Sequence, residues 1–179
     1  INELAIWLSH KWKSSETIKV KFLNRVPYLE LLVKQVANEW MRYANINFVF
    51  VENEDAQVRI EFDSDNTYWS AIGTLCRQNK DQSQATMHLG AFNLGIDEGI
   101  IKGVFLHEFG HVLGCVHEHQ HPDITFNWDE EKVIEYFAKE HNWDEDKTRH
   151  NILNKLPTED LTNSDYDSDS IMHYFFPSE

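Results

Sequence analysis

The stretch H107-E-F-G-H-V-L-G-C-V-H-E118 holds three histidines, two glutamates and two glycines. In a helix, positions i and i+4 share one face, so the imidazoles of His107 and His111 can reach a single point. Glu108 sits one residue along, close enough to touch whatever else binds there. Gly114 follows His111 at the place where a helix often stops on a left-handed residue, which glycine adopts cheaply. The chain can then turn sharply and bring His117 back toward the pair, whereas a longer regular helix would carry it onward. Three neutral imidazoles suit Zn²⁺ and leave a fourth position for water. Structural zinc sites are normally closed by four protein ligands, so an open three-histidine set beside a carboxylate points to water activation. One zinc ion per chain is expected on His107, His111 and His117. His119 and His121 lie close in sequence but are not assigned as ligands, and His10, His88, His141 and His150 read as ordinary exposed or edge residues.

Upstream of this stretch, Ile100, Ile101, Val104, Phe105 and Leu113 follow helical spacing, which predicts a helix from about Asp97 to Leu113 despite Gly99 and Gly103. Nearer the start, Thr17 to Asn24 alternates Ile18, Val20 and Phe22 on one face and reads as a half-buried strand. Leu29, Leu32, Val33, Val36, Trp40 and Tyr43 then recur at helical intervals after Pro27. Further strands are expected from Ile46, over Gln57 to Phe62, and over Ala85 to Phe92, where a glycine suggests a sheet edge or a close backbone approach. After Gly114 the texture becomes polar and turn-rich, with one helix expected from Asp129 to about His141. The order is strand, helix, strands, helix, then an irregular tail.

The chain has 179 residues, enough to bury a real core as one domain. Sixteen Lys and Arg against thirty Asp and Glu give a formal charge of −14, which argues against nucleic acid or an anionic membrane as partner. No apolar run approaches the length of a membrane span. The first residues, INELAIWLSHKWK, lack the pattern of a signal peptide, so any leader has been removed or lies upstream of Ile1. Cys76 and Cys115 could form one bridge or none, and leave the redox compartment open.

The zinc motif and a second short stretch, Ser170-Ile171-Met172-His173-Tyr174, together resemble the metzincin proteases and, within them, the astacin family. Glu118 after the third histidine and the Met172-His173-Tyr174 form of the Met-turn carry that narrower likeness. YANINFVFVE, YWSAIGT and TMHLG are similar to the N-terminal lobe of bacterial and fungal astacin-like enzymes, so the resemblance spans nearly the whole chain. It implies an α+β, two-lobed metzincin domain over residues 1–179, with lobes of about 1–114 and 115–179. The N-terminal lobe would hold a twisted, mostly parallel sheet and two long helices. The C-terminal lobe would be irregular and helix-containing, with the active-site cleft between.

By the same resemblance Met172 would floor the three imidazoles, and Tyr174 would be a further, swinging metal ligand that stabilises an oxyanion. Glu108 would be the general base of peptide-bond hydrolysis, and Gly114, Glu118 and Met172 would support the site. Glu118 would be tied to the mature amino terminus, and Trp12 is the first matching tryptophan. The substrate, a protein or peptide, would add as a strand around Thr86 to Ala91, with Thr86, His88 and Gly90 at the contact. The resemblance also implies a secreted monomer, while the cysteine-poor composition fits delivery into another cell or an intracellular role equally well.

This chain departs from the family pattern in places. Cys115 stands where phenylalanine is usual and reads as a small buried hydrophobe, and the customary pair of disulfides is not available. His121 takes the place of an arginine. The sequence stops five residues past Tyr174, so part of the primed-side pocket is expected to be missing or shortened. Two rivals stand beside the astacin reading. Another zincin peptidase is disfavoured by Glu118 and by the Met172-His173-Tyr174 form of the Met-turn. A zinc-bearing binding module without turnover would have no need of Glu108.

Overall fold

The computed structural model describes residues 4–90, 96–162 and 165–174. The chain divides into two compact units, one formed by Ile6–Cys115 and the other by Val116–Glu179 together with Asn2–Ala5.

The first unit is built on five strands: β1 (Glu16–Phe22), β2 (Ile46–Phe50), β3 (Val58–Phe62), β4 (Tyr68–Ser70) and β5 (Met87–Leu89). Their order in the sheet is β2-β1-β3-β5-β4. All neighbours are parallel except β4, which runs antiparallel to β5. Ile18 and Val20 of β1, Ile60 of β3 and Leu89 of β5 are wholly buried, as the period-two pattern of the sequence requires. At the end of β1, Phe22 stacks between Phe50 and Phe62, with ring centroids 5.7 and 5.6 Å apart.

Helix α1 (Pro27–Met41) starts on a proline at its first turn, where a missing N–H costs nothing. It buries Leu29, Leu32, Val33, Val36 and Trp40. Tyr43 does not continue that stripe: the helix ends before it and its ring is exposed. Helix α2 (Glu98–Leu113) is capped by the Asp97 carboxylate, which accepts from the Gly99 N–H at 2.8 Å. Ile101, Phe105 and Phe109 face the core, and Phe109 meets Phe48 of β2 edge-on at 5.3 Å. Trp40 of α1 donates its indole N–H to the Leu106 carbonyl at 3.0 Å, which joins the two helices. Ile100, which fits the helical spacing, is 63% exposed because it falls on the first turn of α2, off the Ile101–Phe105 line.

Two of the strand expectations change. The strand predicted over Ala85 to Phe92 is shorter, Met87–Leu89, and residues 91 and 92 lie outside the described residues. It is also no edge. β5 is paired to β3 on one side and to β4 on the other, and β4 holds the outer position.

In the second unit, α3 (Glu130–His141) is capped by Asp129, whose side chain accepts from the Lys132 N–H. A short α4 (Glu145–Thr148) runs into a π-helical turn over Arg149–Leu153. Arg149 binds both Glu130 and Glu145, at 2.7 and 2.8 Å, and so ties α3 to α4. Gln120 donates to the carbonyls of His150 and Asn154, holding the π-turn against the segment after the zinc motif. Phe137, Ile152, Leu161 and Met172 are buried apolar residues that carry the packing of this unit.

Candidate metal centre

Helix α2 ends on Gly114, whose φ of 100° is left-handed. The Gly114 N–H reaches the His111 carbonyl at 2.9 Å and the Cys115 N–H reaches the Gly110 carbonyl at 3.0 Å, a Schellman closure. The turn is locked from outside as well. Trp12 donates its indole N–H to the Val112 carbonyl at 2.6 Å, and the Trp7 N–H bonds the Gly114 carbonyl at 2.9 Å. A Cβ at Gly114 would sit 3.2 Å from the Ile6 side chain on a backbone that disfavours L residues. Gly114→Ala is therefore expected to cost about 1–3 kcal/mol of stability, read by urea unfolding. No change in the urea midpoint would show that the left-handed turn is not needed.

The turn delivers His117. The ring nitrogens that His107, His111 and His117 can offer all lie within 4.8 Å of one another. The His107 and His111 rings are 4.7 Å apart and nearly perpendicular. His111 is buried, and its Nδ1 lies 2.9 Å from the Cys115 carbonyl. That carbonyl can only accept, so Nδ1 carries the proton and Nε2 keeps its lone pair for a metal. Burial, followed by the neighbouring His107 charge, pushes the His111 pKa down to about 4 despite the opposing bond to Cys115. The ring is thus neutral near pH 7, the form that ligates. The donor set fits zinc, and His107, His111 and His117 are the residues that would hold it.

Glu108 is 5% exposed, and its Oε2 has no protein partner among the described residues. Burial pushes its carboxyl up to about 8, and a dication beside it would favour the ionised form again. Further along the chain, Met172 is wholly buried in a turn closed by the His173 N–H to the Ser170 carbonyl at 3.0 Å. The Met172 N–H adds a bond to the Ser170 hydroxyl at 3.2 Å. Glu118 clamps this turn to the third histidine. Its N–H donates to the Met172 carbonyl at 3.1 Å, and its Oε1 accepts from the Asp167 N–H at 3.1 Å. Burial pushes the Glu118 carboxyl up to about 7, and its Oε2 is enclosed without a protein partner among the described residues. A tie from Glu118 to the amino terminus would involve Ile1, which lies outside the described residues. Tyr174 packs its ring against His117, with centroids 4.3 Å apart, and against His119 at 4.9 Å.

The other histidines have different work. His119 Nε2 faces the Asn151 carbonyl at 3.1 Å, and His121 Nδ1 accepts from the Asp123 N–H at 3.1 Å. His121 therefore orders its loop as an acceptor at a position where an arginine could only donate. Cys76 and Cys115 are both buried thiols with no disulfide between them, and burial pushes the Cys76 thiol up to about 11. Neither is primed as a nucleophile.

The residues expected to touch substrate are otherwise engaged. Thr86 Oγ1 accepts from the Arg59 N–H at 2.8 Å and donates to the Gln57 carbonyl, and the Thr86 carbonyl accepts from the Ala71 N–H. Gly90 does allow a close backbone approach, but of Thr67: a Cβ there would lie 2.6 Å from the Thr67 oxygen. His88, read as an ordinary edge residue and as a substrate contact, is buried and surrounded by carboxylates. An added strand has no free edge on β5, since β4 occupies it. Sequence pattern alone misses β4, which is three residues long, and misses Asp63 and Asp65, which join His88 only through sheet register and a loop.

Comparison with known proteins agrees with this geometry. The family model Astacin, a peptidase family, matches residues 6–177. One solved structure, "Structure of myroilysin", is 36% identical, with a TM-score of 0.90 over 95% of this chain and 82% of that one. A second, "Crystal structure of myroilysin", is 35% identical with a TM-score of 0.70, over 93% of this chain and 73% of that one. High choriolytic enzyme 1, a hatching enzyme zinc-protease from the medaka fish Oryzias latipes, shares the fold. It is 21% identical, with a TM-score of 0.62 over 93% of this chain and 74% of that one. No curated protein matches. Three imidazoles with ligand nitrogens within 4.8 Å of one another, the mostly parallel sheet with its antiparallel outer strand, and the match over nearly the full sequence make this chain a member of the astacin family, a zinc metalloendopeptidase.

Proposed function

We propose that residues 1–179 act as one catalytic domain that hydrolyses internal peptide bonds with Glu108 as general base and Tyr174 as oxyanion donor. The observation that carries this reading is a buried carboxyl, Glu108, with one oxygen unpartnered among the described residues, next in sequence to one of three imidazoles whose nitrogens lie within 4.8 Å of one another. His107, His111 and His117 would hold the zinc, which when bound would supply a Lewis acid that lowers the pKa of water toward ~7. Glu108 takes a proton from the attacking water as its oxygen bonds to the scissile carbonyl carbon. The carbonyl oxygen gains the negative charge, and the Tyr174 hydroxyl donates a hydrogen bond to it. As the C–N bond breaks, Glu108 returns the proton to the leaving amine, which restores the carboxylate. Gly114, Glu118 and Met172 hold the third histidine and the tyrosine in place.

The substrate is a protein or peptide in extended form. With β5 paired on both sides, the outer edge of β4 at Tyr68–Ser70 is the strand that offers main-chain groups for β-addition, in place of Thr86, His88 and Gly90. The enzyme works as a secreted monomer. None of the helices among the described residues is long and apolar enough to cross a membrane. The charge of −14 disfavours nucleic acid as a partner.

Tyr174→Phe keeps the ring against His117 and removes only the hydroxyl. It is expected to lower kcat on a peptide substrate by ~10²-fold or more, with KM little changed. An unchanged kcat would take the tyrosine out of the chemistry.

A further inference from the structure

Away from the zinc histidines, three carboxylates gather round one buried imidazole. The parallel pairing of β3 with β5 sets Glu61 opposite His88. β3 then leads into a loop that doubles back, with Asn66 left-handed at φ 58° and the Gly90 N–H donating to the Thr67 carbonyl at 2.8 Å. This turn brings the Asp65 carboxylate to His88 Nε2, at 3.1 Å for Oδ1 and 3.2 Å for Oδ2. The opposite ring nitrogen, Nδ1, lies 3.3 Å from Glu61 Oε2. Trp69 of β4 covers the ring face to face, with centroids 6.0 Å apart and planes 6° from parallel. Asp63 approaches the same spot, so one ligand atom from each of Asp63, Asp65 and His88 lies within 4.8 Å of the others. A side chain at Gly90 would collide with Asp65 Oδ1 at 2.2 Å, so the glycine keeps the carboxylate's place.

A neutral imidazole has one N–H and one lone pair, yet both nitrogens of His88 face carboxylate oxygens. A protonated His88 would donate from both nitrogens and bring one positive charge, whereas a divalent cation between Nε2 and the aspartates would bring two, to Asp63 and Asp65 together. Glu61 on Nδ1 is also the arrangement in which a carboxylate takes the far N–H of a metal-bound imidazole and aims the other nitrogen at the ion. We propose that Asp63, Asp65 and His88 form a second divalent-cation site, separate from the peptidase centre and independent of its assignment. One imidazole with two carboxylates suits Zn²⁺ or Mn²⁺ over Ca²⁺, which prefers an all-oxygen shell. The ion would pin the loop from Asp63 to Thr67, which feeds directly into the outer strand β4.

Calorimetric titration of the zinc-loaded chain with further Zn²⁺ tests this without any activity assay. A second equivalent is expected, weaker than the first because Asp63 and Asp65 are exposed. Asp63→Asn removes one ligand charge; the Asp63 side chain accepts from the Ser64 N–H next to it, a local bond, so the fold should survive. It should weaken the second equivalent by about tenfold or more, and His88→Gln should abolish it, with the first equivalent unchanged in both. A single equivalent in the parent chain would overturn the proposal. So would a second equivalent unaffected by both substitutions, which would mark loose binding to the acidic surface.

Discussion

Glu108→Ala is expected to lower kcat by ~10²–10⁴-fold while the protein still folds and still holds zinc. The reasoning runs from burial to chemistry. Glu108 is nearly enclosed, yet one carboxylate oxygen has no protein donor among the described residues. A carboxylate in that position is costly to the folded state, because desolvation is not offset by hydrogen bonds. Its removal should therefore leave the melting temperature unchanged or raise it. A pure stability role predicts the reverse pattern, with lower stability and activity that falls only in proportion. Full turnover in Glu108→Ala would mean that another group moves the proton. The same variant separates an enzyme from a zinc-bearing binding module, which would lose nothing with this carboxyl.

His111→Ala should have the second large effect, on the metal itself. His111 is buried and oriented by the Cys115 carbonyl, so a neighbouring side chain has little scope to replace it. Loss of even an orienting partner typically costs 10–100-fold in metal affinity, so loss of the ligand should cost more than ~10²-fold. Because zinc binds the folded chain, the parent protein should gain about 4 kcal/mol of stability at a thousandfold excess over its Kd. His111→Ala should gain far less at the same zinc concentration. Thermal melts with and without zinc read both outcomes, and equal zinc-dependent shifts in the two proteins would remove His111 from the ligand set.

Much of this centre was legible in the sequence because its parts are close along the chain. His107, His111, Gly114 and His117 are linked by one helix and one turn, and helical spacing with a left-handed glycine is enough to converge them. The acidic start near Asp97 and the helical spacing of Ile101, Val104, Phe105 and Leu113 likewise announce α2 from local pattern. What stayed hidden depends on pairing between distant segments. Gly90 pointed to a sheet edge or a close backbone approach, and it is the second: the glycine answers to Thr67, a contact that exists only once β4 has folded against β5. β4 is too short to show a period, and its place outside β5 is a matter of tertiary order. His88 seemed an ordinary strand residue for the same reason: Glu61 meets it through register, and Asp65 through a loop reversal at Asn66. In the second unit, α4 and its π-turn carry mostly polar residues, and their anchors are the Gln120 side chain and the single buried Ile152, not an apolar stripe.

Zinc content measured together with peptidase activity tests the central claim most directly. After dialysis against metal-free buffer, about one zinc should remain per chain, as a three-imidazole site predicts. A strong chelator should remove that ion and the cleavage of a protein substrate together, and restored zinc should return both. A chain that cleaves peptides after its zinc is gone would contradict the account.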